Sequence, residues 1–337
     1  MGDSRLTTHL QAAATLALLS DRQLTDRLAT AEVVSEGIGG TGVRLDVDGT
    51  PVFAKRVPLT ALEQQHRFST ANLYDLPPFC HYGLGSPEGS AWRELALHVL
   101  ATGWVLGGEC EYFPLLHHWR VLPLRADRVA DRALEDDVVY WGGSSAVRRR
   151  LEEVEVAEAS VVLFCEYFPT TLHAWLPAHL DQAERIERQL FETAAFLRAQ
   201  GVLHFDTHFG NFLTDGDRLA LTDFGLAFAT RFDLSAEERA FAALTIEHDE
   251  AYLAMHLTQW LVTEVCDTRD RDSRRAAVRR AAAGELALPE PVAAVVARHA
   301  KTAVEFTEFY DRLREDREAG FPKGIVDKSV DADPARG

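Results

Sequence analysis

His204-Phe205-Asp206-Thr207-His208-Phe209-Gly210-Asn211, followed twelve residues later by Asp223-Phe224-Gly225, is the stretch on which the reading of the fold turns. An aspartate, an asparagine five positions on and a second aspartate before a glycine are the polar parts that phosphoryl transfer requires. Asp206 can accept the proton of an attacking hydroxyl. Asn211 and Asp223 offer hard oxygens to the Mg²⁺ that carries nucleotide phosphates. Asp206 and Asn211 span a short loop, and a hairpin signal around Asp215-Gly216-Asp217 brings the chain back to Asp223. His204 is expected to brace the loop through the backbone, and His208 either touches the acceptor or lines the loop. A zinc site on His204 and His208 would need a helix and further ligands. Gly210 and the flanking phenylalanines oppose that helix.

Working upstream, Gly37-Ile38-Gly39-Gly40-Thr41-Gly42 matches G-x-G-x-x-G. A dinucleotide fold needs a helix after such glycines. Here Val43, Leu45 and Val47 alternate as a strand instead, and Asp48-Gly49 turns the chain into Val52-Phe53-Ala54-Lys55. That context predicts a glycine flap, with Gly37, Gly39 and Gly42, over nucleotide phosphates. A lysine within an apolar strand is costly to bury alone. Phosphate and the carboxylate of Glu94, near the start of the next long helix, would satisfy Lys55. Glu63 lies too near in sequence and Glu88 sits in a Gly/Pro loop.

In this order these motifs resemble the protein-kinase-like superfamily over about residues 33 to 230. The resemblance implies an α+β, bilobal fold, with an antiparallel-sheet N-lobe, a mainly helical C-lobe, and ATP with Mg²⁺ between them. It places adenine against the backbone near Glu166 to Phe168, with Cys165 behind it. The implied segments are an N-terminal helical extension (1–31), the N-lobe (32–168), the C-lobe (169–322) and a flexible tail (323–337). Phe205 stands where many protein kinases place arginine, and no Ala-Pro-Glu segment follows Asp223-Phe224-Gly225. The pattern is therefore similar to aminoglycoside and other small-molecule phosphotransferases and to atypical kinases. Phe53 faces the same way as Lys55, where protein kinases usually place a small alanine.

The function expected is an ATP-dependent phosphotransferase acting on an acceptor hydroxyl, with a lean to a small molecule. Its rivals are a Ser/Thr protein or peptide kinase and a pseudokinase acting as a binding module. The acids Glu237, Glu238, Glu247, Asp249 and Glu250 could attract an amine-bearing acceptor or form a solvated helix face. The formal charge of −17 disfavours nucleic acid and anionic membrane as partners. No run approaches a membrane span. Four dispersed cysteines read as buried free thiols of a cytoplasmic protein. Residues 6 to 29 read as one helix, Phe113-Pro114 as part of a short strand, and Ser145 to Ala159 as a solvated helix with Arg148–Glu152 and Arg149–Glu153 pairs. From Lys323 a frayed tail is expected.

Overall fold

The computed structural model describes residues 3–37, 40–82, 89–124 and 134–326. The described chain is mixed α+β. Its N-terminal stretch forms two helices, α1 (Asp3–Leu18) and α2 (Asp21–Ala29), where the sequence suggests one. The break lies at Ser20, whose hydroxyl accepts the Gln23 N–H while the Gln23 side chain accepts the Ser20 N–H. This capping box starts a new helix.

Three strands follow, β1 (Glu32–Gly37), β2 (Gly40–Val47) and β3 (Thr50–Leu59). Asp48 and Gly49 both take positive φ, +52° and +85°, as a two-residue hairpin turn between right-twisted strands requires. After α3 (Ala61–Gln65) and α4 (Ala91–Leu106) come β4 (Leu116–Pro123), α5 (Leu134–Tyr140), α6 (Ser145–Glu155) and β5 (Ala159–Glu166). The five strands form one antiparallel sheet in the order β1-β2-β3-β5-β4. Phe113-Pro114 lies just before β4, not in a strand. There the Phe113 carbonyl accepts a side-chain donor from Arg5 at 2.7 Å.

Side chains alternate across this sheet. Val52, Ala54, Val162 and Phe164 face α1 and α2, packing with Ala12, Leu16, Leu24 and Leu28. Val57, Leu59, Leu163 and Cys165 face the other way, against Trp92 and Leu95 of α4. Period two places Lys55 on this second face.

Helices dominate beyond Pro169. The elements are β6 (Thr170–Thr171), α7 (Leu172–Trp175), α8 (Ala183–Ala199), β7 (Val202–Leu203), the hairpin β8 (Phe212–Thr214) and β9 (Leu219–Leu221), β10 (Phe228–Ala229), α9 (Ala236–Leu244), α10 (His248–Cys266), α11 (Arg271–Ala282) and α12 (Val292–Glu315). The chain divides into two compact units. One holds residues 1–168 with 222–238, the other 169–221 with 239–337. Segment 222–238 joins the sheet-containing unit through Asp223, bonded to Lys55, through the Asp233 N–H on Thr70, and through Glu238, paired with Arg93. In the second unit Leu190, Leu197, Leu253, Leu257, Leu261, Val295, Phe306 and Phe309 are fully buried.

Two further expectations change. The helix predicted to Ala159 stops at Glu155, and its arginine run is not solvated throughout: Arg150 is 1% exposed. At the start of the expected tail Ile325 is buried and the Gly324 N–H donates to Glu247, while residues 327–337 lie outside the described residues. No described helix is long and apolar enough to cross a membrane, and all four cysteines are free.

Candidate functional site

In the sheet-containing unit, Lys55 lies directly opposite Gly42 across β2–β3. Its ammonium donates to Glu94 at 2.8 Å and to Asp223 at 2.7 Å. Burial alone would lower its pKa, but the Asp223 and Glu94 carboxylates override this and hold it well above the ordinary lysine value. Glu94 reaches Lys55 because α4 starts at a Ser90 cap and packs on the same sheet face. Glu94 is nearly buried, while the Asp223 side chain stays 38% exposed. Asp223 itself adopts φ +64°, strained for a residue with a side chain, and accepts the Gly225 N–H at 3.3 Å. Phe224 is buried beneath it, edge-on to His98.

Gly37 and Gly42 lie on the glycine hairpin, with Gly37 paired to Gly40; Gly39 falls outside the described residues, as does Glu88. A side chain at Gly42 would run into the Phe53 ring, which is half-buried on the Lys55 face. Glu166 is engaged more fully than the sequence suggests. Its carboxylate takes Arg5 of α1 at 2.6 Å and the Leu115 N–H at 3.1 Å, and its own N–H donates to the Leu115 carbonyl. Cys165 beside it is buried, its thiol pushed up to about 12 by loss of water. Phe168 is buried at the end of this segment.

A second support to Asp223 was not visible in the sequence. Glu63, set aside as a partner of Lys55, is 1% exposed and accepts the Thr60 and Ala91 N–H groups and Arg150. Arg150 also donates to the Gly89 carbonyl at 2.6 Å. Any Cβ on Gly89 would overlap the carbonyl of Gly225. A backbone approach this close demands glycine. Arg149 lies over the Tyr74 ring, whose hydroxyl donates to Glu153, so the expected Arg149–Glu153 pair is replaced, while Arg148 does reach Glu152 at 3.7 Å.

The second unit holds the other half of the motif. Asp249 on α10 accepts the N–H groups of His204 and Phe205 at 2.7 and 2.8 Å. Burial would raise its pKa; the hydrogen bond from His248 and the nearby His204 hold it below the ordinary aspartate value. Phe205 takes φ +64° and is fully buried against Phe241 and His248. An apolar side chain stands here where an arginine would be stranded. His204 accepts the Asp206 N–H, the bracing role expected of it. Asn211 donates to the Asp206 carbonyl at 2.9 Å and to its carboxylate at 3.0 Å, which turns the amide oxygen outward from Asp206. His208 lies 3.6 Å from the Asp206 carboxylate.

The chain matches no protein-family model and no curated protein at a significant level.

Three of the acids after the motif are engaged within the protein, while Glu237 is exposed. Glu238 pairs with the buried Arg93, Asp249 holds the loop, and Glu250 pairs with Arg198. Asp249 had a sequence signal. It shares a helix face with Leu253, His256 and Trp260, so an acid there faces inward. Asn211 and Asp223 are hard oxygen donors of the kind Mg²⁺ takes alongside phosphate and water. Among the described residues no group of three or more His, Cys, Asp or Glu is arranged to hold a metal by itself.

Proposed function

We propose that the protein is an ATP-dependent phosphotransferase of kinase-like, bilobal architecture that phosphorylates a hydroxyl, with a lean to a small-molecule acceptor. The observation that carries this reading is Lys55, buried in the sheet and shared by Glu94 and Asp223. Lys55 and Glu94 are almost enclosed, an arrangement that apolar side chains of similar volume often match in stability, and the half-exposed Asp223 leaves the ammonium open to an anionic ligand on one side. Lys55 steadies the nucleotide phosphates, and Glu94 fixes Lys55. The glycine hairpin with Gly37, Gly39 and Gly42 covers the phosphates, and adenine lies near Glu166 and Phe168.

Asp206 orients the acceptor hydroxyl and takes its proton, with Asn211 hydrogen-bonded to its carboxylate. Asn211 and Asp223 would hold Mg²⁺, which supplies positive charge to the transferring phosphoryl group. The strained φ values at Phe205 and Asp223 support the reading, because such outliers gather at functional loops.

The deciding experiment offers γ-labelled ATP with Mg²⁺ to a metabolite panel and to a cell extract. Label should pass to a small molecule with the parent chain and not with Asp206→Ala. That variant should keep the thermal shift given by Mg²⁺–ATP. Transfer at the parent rate by Asp206→Ala would remove the proposed base.

A further inference from the structure

The helix that precedes the sheet reaches the segment assigned to adenine. On α1 the residues Arg5, His9, Ala12 and Leu16 follow at helical spacing and form its inward stripe. Ala12 and Leu16 pack on the sheet face that carries Val162 and Phe164. One turn nearer the start of the helix His9 is buried, its Nδ1 2.9 Å from Nδ1 of His117 on β4.

Arg5 lies one turn further back and closes the stripe. Its Nε lies 3.0 and 3.1 Å from the two carboxylate oxygens of Glu166, and its Nη2 lies 2.6 Å from one of them. The same Nη2 donates to the Phe113 carbonyl at 2.7 Å. Glu166 in turn accepts the Leu115 N–H, and its own N–H donates to the Leu115 carbonyl. One guanidinium thus ties α1, the stretch before β4 and the end of β5. Both charged side chains are largely enclosed, at 9% and 16% exposure.

Two physical arguments separate this pair from an ordinary surface bridge. A cation in the first turn of a helix opposes the positive end of the helix dipole, so α1 by itself does not favour arginine there. An enclosed ion pair commonly adds little stability over apolar side chains, but a guanidinium fork takes a carboxylate in few orientations and so fixes position. What it fixes here is backbone. Period two puts the Glu166 side chain on the α1 face with Phe164, while Cys165 faces the Lys55 side. The Glu166 carboxylate therefore points away from the Lys55 face, and its influence on a base bound there passes through the main chain.

We propose that Arg5 is a positioning residue for the nucleotide base: α1 clamps Glu166 and so presets the main chain that receives adenine, which makes the N-terminal helix part of the nucleotide site. This rests on the placement of adenine near Glu166 and Phe168. A segment held before the ligand arrives is not ordered at the ligand's expense, and the avoided cost appears as affinity for the base.

Isothermal titration of the full chain compares Mg²⁺–ATP with Mg²⁺–tripolyphosphate, which has the phosphates and no base. Arg5→Met should weaken Mg²⁺–ATP about tenfold, the size of re-ordering roughly one backbone residue, and leave tripolyphosphate within about twofold of the parent. Glu166→Gln should reproduce the loss. The double variant Arg5→Met/Glu166→Gln should bind no more weakly than either single one, because the two residues act as a unit. Arg5→Lys keeps the charge without the fork and should fall between parent and Arg5→Met. Parent-like Mg²⁺–ATP affinity in folded Arg5→Met overturns the proposal. So does an equal loss for both ligands, which is what a general loosening of the sheet-containing unit gives, and so do additive losses in the double variant. Should Arg5→Met fail to fold, Arg5→Lys and Glu166→Gln decide by the same comparison. A parent chain that binds no Mg²⁺–ATP removes the nucleotide reading itself; a parent that binds it, with Arg5→Met binding it equally well, removes only the role of α1.

Discussion

Lys55 shows how one residue can be both costly and necessary. Its ammonium is almost enclosed, and only the Glu94 and Asp223 carboxylates keep it charged there. Lys55→Met should destabilise the chain by about 3 kcal/mol, because Glu94 is left buried without its counter-charge. Urea unfolding of the parent, Lys55→Met and Lys55→Met/Glu94→Gln measures this, and the double variant should recover part of the loss. The raised lysine pKa means that this contribution is complete at neutral pH and declines only as pH climbs above the ordinary lysine value. Asp249 works in the opposite sense. Its lowered pKa gives stability that is present above the ordinary aspartate value and lost as pH falls through it. Asp249→Ala leaves the His204 and Phe205 N–H groups without their acceptor, at a cost of about 2–4 kcal/mol. Hydrogen exchange at those two amides should accelerate far more than exchange in the sheet. Equal protection in parent and variant would show that Asp249 does not hold the loop.

At the scale of elements, α6 forms where the sequence suggests a helix, but it is not solvated throughout. Its charged composition suggests a solvated helix, yet Arg150 runs inward to Glu63 and the Gly89 carbonyl. The pattern of acids and bases is the same for a solvated arginine and a paired buried one, so composition does not separate them. Arg150→Met should lower stability by about 3–5 kcal/mol by stranding the Glu63 carboxylate, and it should weaken Mg²⁺–ATP binding by loosening Gly89 against Gly225. Isothermal titration with Mg²⁺–ATP reads the second effect; unchanged affinity in a folded variant would confine Arg150 to a structural role. The β2–β3 hairpin, by contrast, was legible. Alternating valines and leucines around Asp48-Gly49 are enough to fix turn type and register, and register fixes that Lys55 shares a face with Val57 and Leu59.

Across the whole molecule, buried histidines set the acid limit. His81 and His117 are each pushed down to about 4, and His256 to about 3, mainly by burial. The unfolded chain binds protons at these positions once pH drops below about 6.5, while the folded chain does not. Stability should therefore fall as pH is lowered from about 6.5 towards about 4, by several kcal/mol in sum, before most carboxylates titrate. Melting temperatures across that range test this, and a flat profile down to about pH 5 would contradict the burial of the three rings. The same three residues show why pH behaviour is not readable from sequence: thirteen histidines are present, and nothing local distinguishes these.

Local chemistry, then, was settled by the sequence alone. The Asp48-Gly49 turn, the capping box of Ser235 and Glu238, and the short loop that lets Asn211 bond Asp206 all follow from residues a few positions apart. Tertiary structure decided which charges are solvated and which are buried partners. Glu238, Asp249, Glu250, Arg93 and Arg150 look alike on paper, and each is assigned its role by a residue far away in the chain. Hydrogen-bond and ion-pair choices of that kind depend on long-range packing, which no window of neighbouring residues encodes.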